Sequence, residues 1–240
     1  MKFITANALV LFASVFGCEH GYSVDDGEVI WKYWDASRQY EQVVEEADAA
    51  TFEILGRKEP FFRYGHDNSH VFLEGRKIEF AKSKSFKLER YEYRGSRFIY
   101  ATDDESVFYG YQRIDAADVK TFLVLGEFWA QDDAHIFSLA NIVPVCDRAT
   151  FEVLDADHAF DASCIYYGSK IGHRIGSDPI ELHGPNFLTA GEVVFYGGNP
   201  LPGVDGRTFE ADSISSGKDK DGCFRVHPLL EIIRYVCLDW

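Results

Sequence analysis

The sequence predicts a mainly β fold, an array of about five or six stacked β-hairpin repeats of about 29 residues joined by short helical turns. Three observations carry that expectation. The chain holds 20 Phe, 13 Tyr and 4 Trp among 240 residues, side chains that suit a pleated, half-buried surface. Two separate phrases recur in step along the chain. Glycines follow the aromatic runs where a tight hairpin needs positive φ. An elongated curved sheet or solenoid satisfies this pattern, and a propeller-like closure is the alternative.

The first phrase is Thr-Phe, at Thr121-Phe122, Thr150-Phe151 and Thr208-Phe209. Phe122 and Phe151 are 29 residues apart, and Phe209 follows two such steps later. The skipped place is Ile180, in a degenerate copy that keeps apolar character. The second phrase runs Val107-Phe108-Tyr109, Ile136-Phe137-Ser138, Ile165-Tyr166-Tyr167 and Val194-Phe195-Tyr196, again in steps of 29. Two phrases held in phase over three periods mark a repeat. Earlier copies carry insertions: Val71-Phe72-Leu73 lies 36 residues before Val107, and Thr51-Phe52 and Ser85-Phe86 echo the Thr-Phe phrase. A last partial copy is Asp219-Lys220-Asp221-Gly222-Cys223-Phe224.

Within one unit, Ile165-Tyr166-Tyr167-Gly168-Ser169-Lys170-Ile171 reads as a strand, a Gly turn and a return strand. The Thr-Phe-x-x-Leu phrase fits a further strand or one helical turn, and Asp147 or Asp205 is placed to cap such a turn. A single unit cannot bury both of its apolar faces, so neighbours must cover it. The repeats occupy residues 48–226, with an N-terminal cap at 19–47 and a C-terminal cap at 227–240, where a stack needs atypical ends.

Residues 1–18 form a separate segment. Lys2 precedes the apolar run 8–16, which is too short to span a bilayer and suits a secretory leader. Gly17-Cys18 resembles a lipoprotein signal in which Cys18 is lipidated; simple cleavage nearby is the alternative. Export makes the compartment oxidising, and Cys146, Cys164, Cys223 and Cys237 are even in number. Of three pairings, Cys146–Cys164 and Cys223–Cys237 are favoured because each closes a short loop.

The phrases resemble the DKNYY family of bacterial proteins, named for Asp-Lys-Asn-like residues ahead of paired aromatics. The residues that carry the likeness are Asp67-Asn68-Ser69-His70-Val71-Phe72, Asp103-Asp104-Glu105-Ser106-Val107-Phe108-Tyr109, Asp132-Asp133-Ala134-His135-Ile136-Phe137 and the copy at Asp219. It covers roughly residues 29–226. Asp161-Ala162-Ser163 and Thr189-Ala190-Gly191-Glu192 depart from the pattern. The resemblance implies an envelope-associated scaffold with no shared catalytic residues.

Formal net charge is −15. Such a polyanion repels nucleic acid and acidic membrane surfaces, and it suits a basic protein partner. Membrane association is expected only through lipid on Cys18. Chemical motifs are sparse. Ser213–Lys218 lacks the glycine spacing of a phosphate loop, Asp219-Lys220-Asp221-Gly222 lacks the remaining calcium ligands, and no cysteine pair has zinc spacing. His66 and His70 lie within hairpin signals, so no cofactor or metal is expected. Tyr109, Tyr111, Tyr167 and Tyr196 are the candidate binding residues; because they recur once per unit, core packing is the competing reading. The expected function is a non-enzymatic protein-binding module of a Gram-negative periplasm or outer membrane, in its specific form an immunity protein neutralising a basic antibacterial toxin. An exported hydrolase with carboxylate chemistry and a purely structural envelope protein are the alternatives.

Overall fold

In a computed structural model the described residues are 21–35, 38–56, 63–89, 100–172, 178–227 and 231–237. Cys18 and the rest of the expected leader, residues 1–18, lie outside them. The fold is mainly β: the described residues form seven small antiparallel sheets, each with its strands in chain order. The chain divides into two compact units, Met1–Lys77 and Ile78–Trp240.

The first unit holds sheet A (Gly21–Asp25, Glu28–Asp35, Arg38–Val43) and sheet B (Glu53–Leu55, Tyr64–His66, Val71–Leu73, Arg76–Lys77). The second unit begins with sheet C (Lys87–Leu88, Tyr100–Thr102, Val107–Tyr109, Gln112–Arg113). Sheet D follows (Leu123–Val124, Trp129–Gln131, Ile136–Ser138, Asn141–Val143), then sheet E (Glu152–Val153, His158–Phe160, Ile165–Tyr167, Lys170–Ile171). Sheet F comprises Ile180–Leu182, Phe187–Ala190, Val193–Tyr196 and Asn199–Pro200. Sheet G comprises Glu210–Ala211, Ser216–Asp219, Gly222–Val226 and Ile232–Tyr235.

The expected hairpin is therefore the third and fourth strands of a four-stranded meander. The Thr-Phe phrase supplies a turn and the first strand. Two of these turns are 3₁₀, at Ser83–Ser85 and Arg148–Thr150, and Asp147 Oδ1 accepts the Ala149 N–H at 3.1 Å as the expected cap.

Residues 29 apart in the second unit take equivalent places. Phe108, Phe137, Tyr166, Phe195 and Phe224 all lie in third strands and are essentially fully buried. Side chains alternate between the two faces of a strand, so each residue ahead of these aromatics points the other way. Val107 enters a core shared by C and D, Ile136 one shared by D and E, Ile165 one shared by E and F, and Val194 one shared by F and G. Both faces of the middle sheets are thus apolar and covered.

The ring of the Thr-Phe phrase is wedged into these shared cores. Phe122 lies 5.5 Å from Tyr100 and 6.2 Å from Phe137 between ring centroids. Phe151 sits likewise between Trp129 (5.6 Å) and Tyr166 (5.7 Å), and Phe209 between Phe187 (5.1 Å) and Phe224 (6.0 Å). In the first unit Phe52 fits between Tyr22 and Phe72 in the same way. The wedge needs a small residue in the second strand. Ala130 and Ala159 fill that place, and a Cβ at Gly217 would come within 2.7 Å of the Phe209 ring. Where the wedge is the smaller Ile180, the facing residue is the larger Leu188. The volumes compensate.

In every four-stranded sheet but F an aspartate holds the wedge-bearing loop. Asp67, Asp103, Asp132, Asp161 and Asp219 close the turns between second and third strands. One oxygen of each accepts N–H groups two or three residues on, as Asp132 Oδ1 does from Ala134 (2.8 Å) and His135 (2.6 Å). Oδ2 reaches back to the residue three before the Thr or Ser: it accepts N–H from Asp48, Lys82, Asp118, Asp147 and Asp205 at 2.9, 2.9, 2.9, 2.7 and 3.0 Å. In return the N–H following the aspartate donates to Thr51, Ser85, Thr121, Thr150 or Thr208 Oγ. This reciprocal latch explains the spacing of the Asp-x-x-Thr-Phe phrase.

Burial works to raise the carboxyls of Asp67 and Asp132, but the backbone donors outweigh it and hold both below their ordinary value. Asp161 is also lowered against burial, with the Tyr166 hydroxyl donating at 2.5 Å beside the backbone groups. Asp219 is held at about 2, chiefly by Arg234, whose guanidinium meets its two oxygens at 2.8 and 2.9 Å.

Both expected disulfides are present, Cys146–Cys164 and Cys223–Cys237, with Cα separations of 6.1 and 5.2 Å. The first joins the segments that the Asp147–Asp161 latch also joins. The second ties the third strand of G to the residues beyond its fourth.

Two outcomes follow from these restraints. Because folded carboxyls sit below their unfolded values, their stabilisation is complete above about pH 4 and is lost as pH falls toward about 2. Urea midpoints should therefore drop steeply over that window, and Asp132→Asn should cost about 2 kcal/mol at pH 7 by leaving buried N–H donors facing an amide. Replacing either cystine by two serines should lower the unfolding free energy by about 3 kcal/mol, the closure entropy of a loop of this size, measured by denaturant titration against the oxidised parent.

Candidate functional site

The four candidate tyrosines occupy two kinds of place. Tyr109, Tyr167 and Tyr196 end third strands and are half-buried, whereas Tyr111 sits in the adjoining turn and is 39% exposed. By the two-residue period the first three point toward the following sheet. Tyr109 packs against Tyr100 at 5.6 Å and borders the core shared by C and D. Tyr196 packs against Phe187 at 5.0 Å and borders the core shared by F and G. Tyr167 meets His158 edge-on at 5.1 Å and lies under the Gly197-Gly198 turn of sheet F. Gly198 has φ of +77°, and a Cβ there would stand 2.6 Å from Tyr167 Cβ, so glycine is required twice over. Tyr109 and Tyr196 therefore serve different cores, while Tyr196 is close enough to Tyr167 to help raise the Tyr167 phenol.

Around Tyr167 the fold gathers titratable groups that the sequence reading did not single out. Leu154-Asp155-Ala156-Asp157-His158 links the first and second strands of sheet E. Asp155 Oδ1 accepts N–H from Asp157 at 2.9 Å and from His158 at 2.7 Å, which curls the segment. The His158 ring is then drawn inward to 1% exposure, with Nδ1 at 3.0 and 3.2 Å from the two Asp155 oxygens. That nitrogen donates to the carboxylate, and Nε2 is buried without a hydrogen-bond partner among the described residues.

The two carboxyls of this segment are driven apart. Burial works to raise Asp155, but His158 outweighs it and holds the group below its ordinary value. Asp157 is pushed up by burial and by the charge of Asp155. Burial, with Asp157, Tyr196 and Asp155, also raises the Tyr167 phenol. Two carboxyls whose proton affinities are pulled in opposite directions beside a phenol are the kind of pair that acid–base chemistry uses. The signal lay in the Asp-x-Asp-His run, which departs from the corresponding Gly126-Glu127-Phe128-Trp129 of sheet D. One sequence without coordinates does not distinguish that run from a polar turn.

Among the described residues no group of three or more His, Cys, Asp or Glu side chains could hold a metal ion. Neither the curated proteins nor the solved structures include a match to this chain. A family model does match: the DKNYY family, over residues 100–227, just over half of the chain. That span contains the latch aspartates 103, 132, 161 and 219 and the Thr-Phe wedges of sheets D, E and G. With its repeated Asp turns and buried third-strand aromatics, the chain belongs to the DKNYY family.

Proposed function

We propose that this chain is a non-enzymatic protein of the bacterial cell envelope that binds a basic protein partner, in its specific form an immunity protein against a basic antibacterial toxin. Sheets C to G of the second unit form a stacked array whose successive members cover one another, a reading supported by the cores that they share in sequence. Two cystines suit an oxidising compartment, as does an apolar leader ending at Cys18. The array lies in the periplasm or at the outer membrane, lipid-anchored through Cys18 or soluble.

The observation that carries the reading is the formal charge of −15, to which buried aspartates contribute because backbone donors keep them ionised. Charge of this size steers a cationic partner toward the surface. Exposed aromatics supply contact area; Tyr111 is one, and Tyr33 and Tyr40 stack at 5.2 Å on sheet A.

Immobilised full-length protein should retain basic proteins from bacterial culture fluid at about 0.05 M salt and release them by about 0.5 M, as the screening length contracts. Tyr111→Ala should weaken the captured complex about tenfold with the melting temperature unchanged, as for an exposed interface aromatic. Absence of basic proteins from the eluate, or retention indifferent to salt, sinks this reading.

A second reading, an exported hydrolase with carboxylate chemistry, is favoured by the neighbouring carboxyls of Asp155 and Asp157, whose proton affinities are shifted in opposite directions. It predicts slow cleavage of cell-wall glycan fragments, removed by Asp157→Asn while the circular dichroism spectrum is retained. No turnover by the parent protein rejects it.

A further inference from the structure

We infer that sheet F is where this fold opens, its first strand Ile180–Leu182 acting as a strap that leaves Phe187–Ala190 ahead of the corresponding strands elsewhere. Three devices that pin a first strand in the other four-stranded sheets are replaced together in F. The latch aspartate is replaced by Ala190, which is buried and offers no acceptor. The Thr or Ser that answers the latch is replaced by Pro179, which has no hydroxyl. The N–H that would donate to it belongs to Gly191 and turns to the Pro179 carbonyl at 3.2 Å. The aromatic wedge is replaced by Ile180, and the ring donated by the preceding sheet is replaced by His158.

The neighbours sharpen the contrast. Sheet E carries the Asp161 latch and the Cys146–Cys164 cystine across the same two segments. Sheet G carries the Asp219 latch, the Arg234 pair and the Cys223–Cys237 cystine. F thus lies in the chain between two cross-linked sheets without an Asp–Thr latch, and the side-chain tie at the end of its first strand is the His183 Nε2–Thr189 Oγ1 hydrogen bond at 2.9 Å. The strap pairs over three residues, where the first strands of C, D, E and G pair over two, so what it lacks is the latch and not the ladder. The central hairpin of F is well paired too. Phe187–Ala190 and Val193–Tyr196 match over four residues, around a two-residue turn in which Gly191 has φ of +58°. In C, D and E the same hairpin matches over three residues. Opening is therefore confined to the strap, where Glu181 and Leu182 are already exposed.

Hydrogen exchange followed by mass spectrometry on the oxidised full chain reads this directly. Amides of Ile180–Leu182 should exchange roughly tenfold or more faster than those of Leu123–Val124, Glu152–Val153 and Glu210–Ala211, the factor that one lost hydrogen bond of ordinary net worth produces. Phe187–Ala190 and Val193–Tyr196 should stay protected. The double variant Pro179→Thr, Ala190→Asp should slow the strap to its neighbours' rate. Should burial of the new carboxylate prevent folding, Asp132→Asn supplies the converse: Leu123–Val124 accelerates to the rate of the strap while sheet E is unchanged. Equal protection of all four first strands, or exchange of F as one block, overturns the inference.

Discussion

Most strands of the four-stranded sheets have only two to four residues and cannot hold a sheet together through their own hydrogen bonds. This fold therefore rests on an apolar side chain, a phenyl ring except at Ile180, pushed between one sheet and the next. Phe52, Phe122, Phe151 and Phe209 each touch an aromatic of the preceding sheet and an aromatic of their own. Fully burying a ring of this size contributes about 1.5–3 kcal/mol, comparable to the net worth of two or three ladder hydrogen bonds. The ring arrives on a loop, and a loop alone would not hold it. The buried aspartate therefore gathers the N–H groups of its own turn and of the incoming segment, while a Thr or Ser hydroxyl closes the circuit. Wedge and latch are one device: the latch fixes where the ring goes, and the ring covers the face that the latch joins.

That device uses carboxylates for architecture. A buried aspartate kept ionised by three N–H donors is poorly suited to exchanging protons near neutral pH. The exception is the segment following the wedge in sheet E, where Asp155 accepts from His158 and leaves Asp157 beside a like charge. The chain thus separates two uses of the same side chain. Closed rings of backbone donors make aspartate a staple, whereas burial and the charge of Asp155 raise the proton affinity of Asp157. The acids outnumber the Lys and Arg residues, 39 to 24, so those left over after ion pairing set the charge of the surface presented to solvent and to any cationic partner.

The candidate tyrosines show how far a strand period can be read without coordinates. Alternation correctly separates Tyr167 from Tyr166 and Tyr196 from Phe195. Alternation does not reveal that the opposite face is also covered, because in this chain both faces of a middle sheet meet neighbours. Tyr109, Tyr167 and Tyr196 are half-buried for that reason, and Tyr111, which sits in a turn, is the one of the four that is exposed. The second strands were illegible for a related reason. Tyr-Ala-Thr, Trp-Ala-Gln and His-Ala-Phe carry a small central residue where strand propensity looks for a large one, and that smallness has meaning only once the Phe of another segment is seen to need the space.

The amino-acid sequence alone determined the β character, the beat of 29, the family and both cystines, because each follows from local chemistry: residue type, spacing, and the closure of short loops. Tertiary structure decided what the recurring Asp and Thr are for, since their partners lie 12 to 21 residues away along the chain. It also decided that Ala190 and Pro179 belong to one lost latch, and that Asp155, Asp157, His158 and Tyr167 meet in one cluster. Periodicity reports which residues are equivalent; only the folded backbone brings a carboxylate within 3 Å of the amide that gives it a purpose.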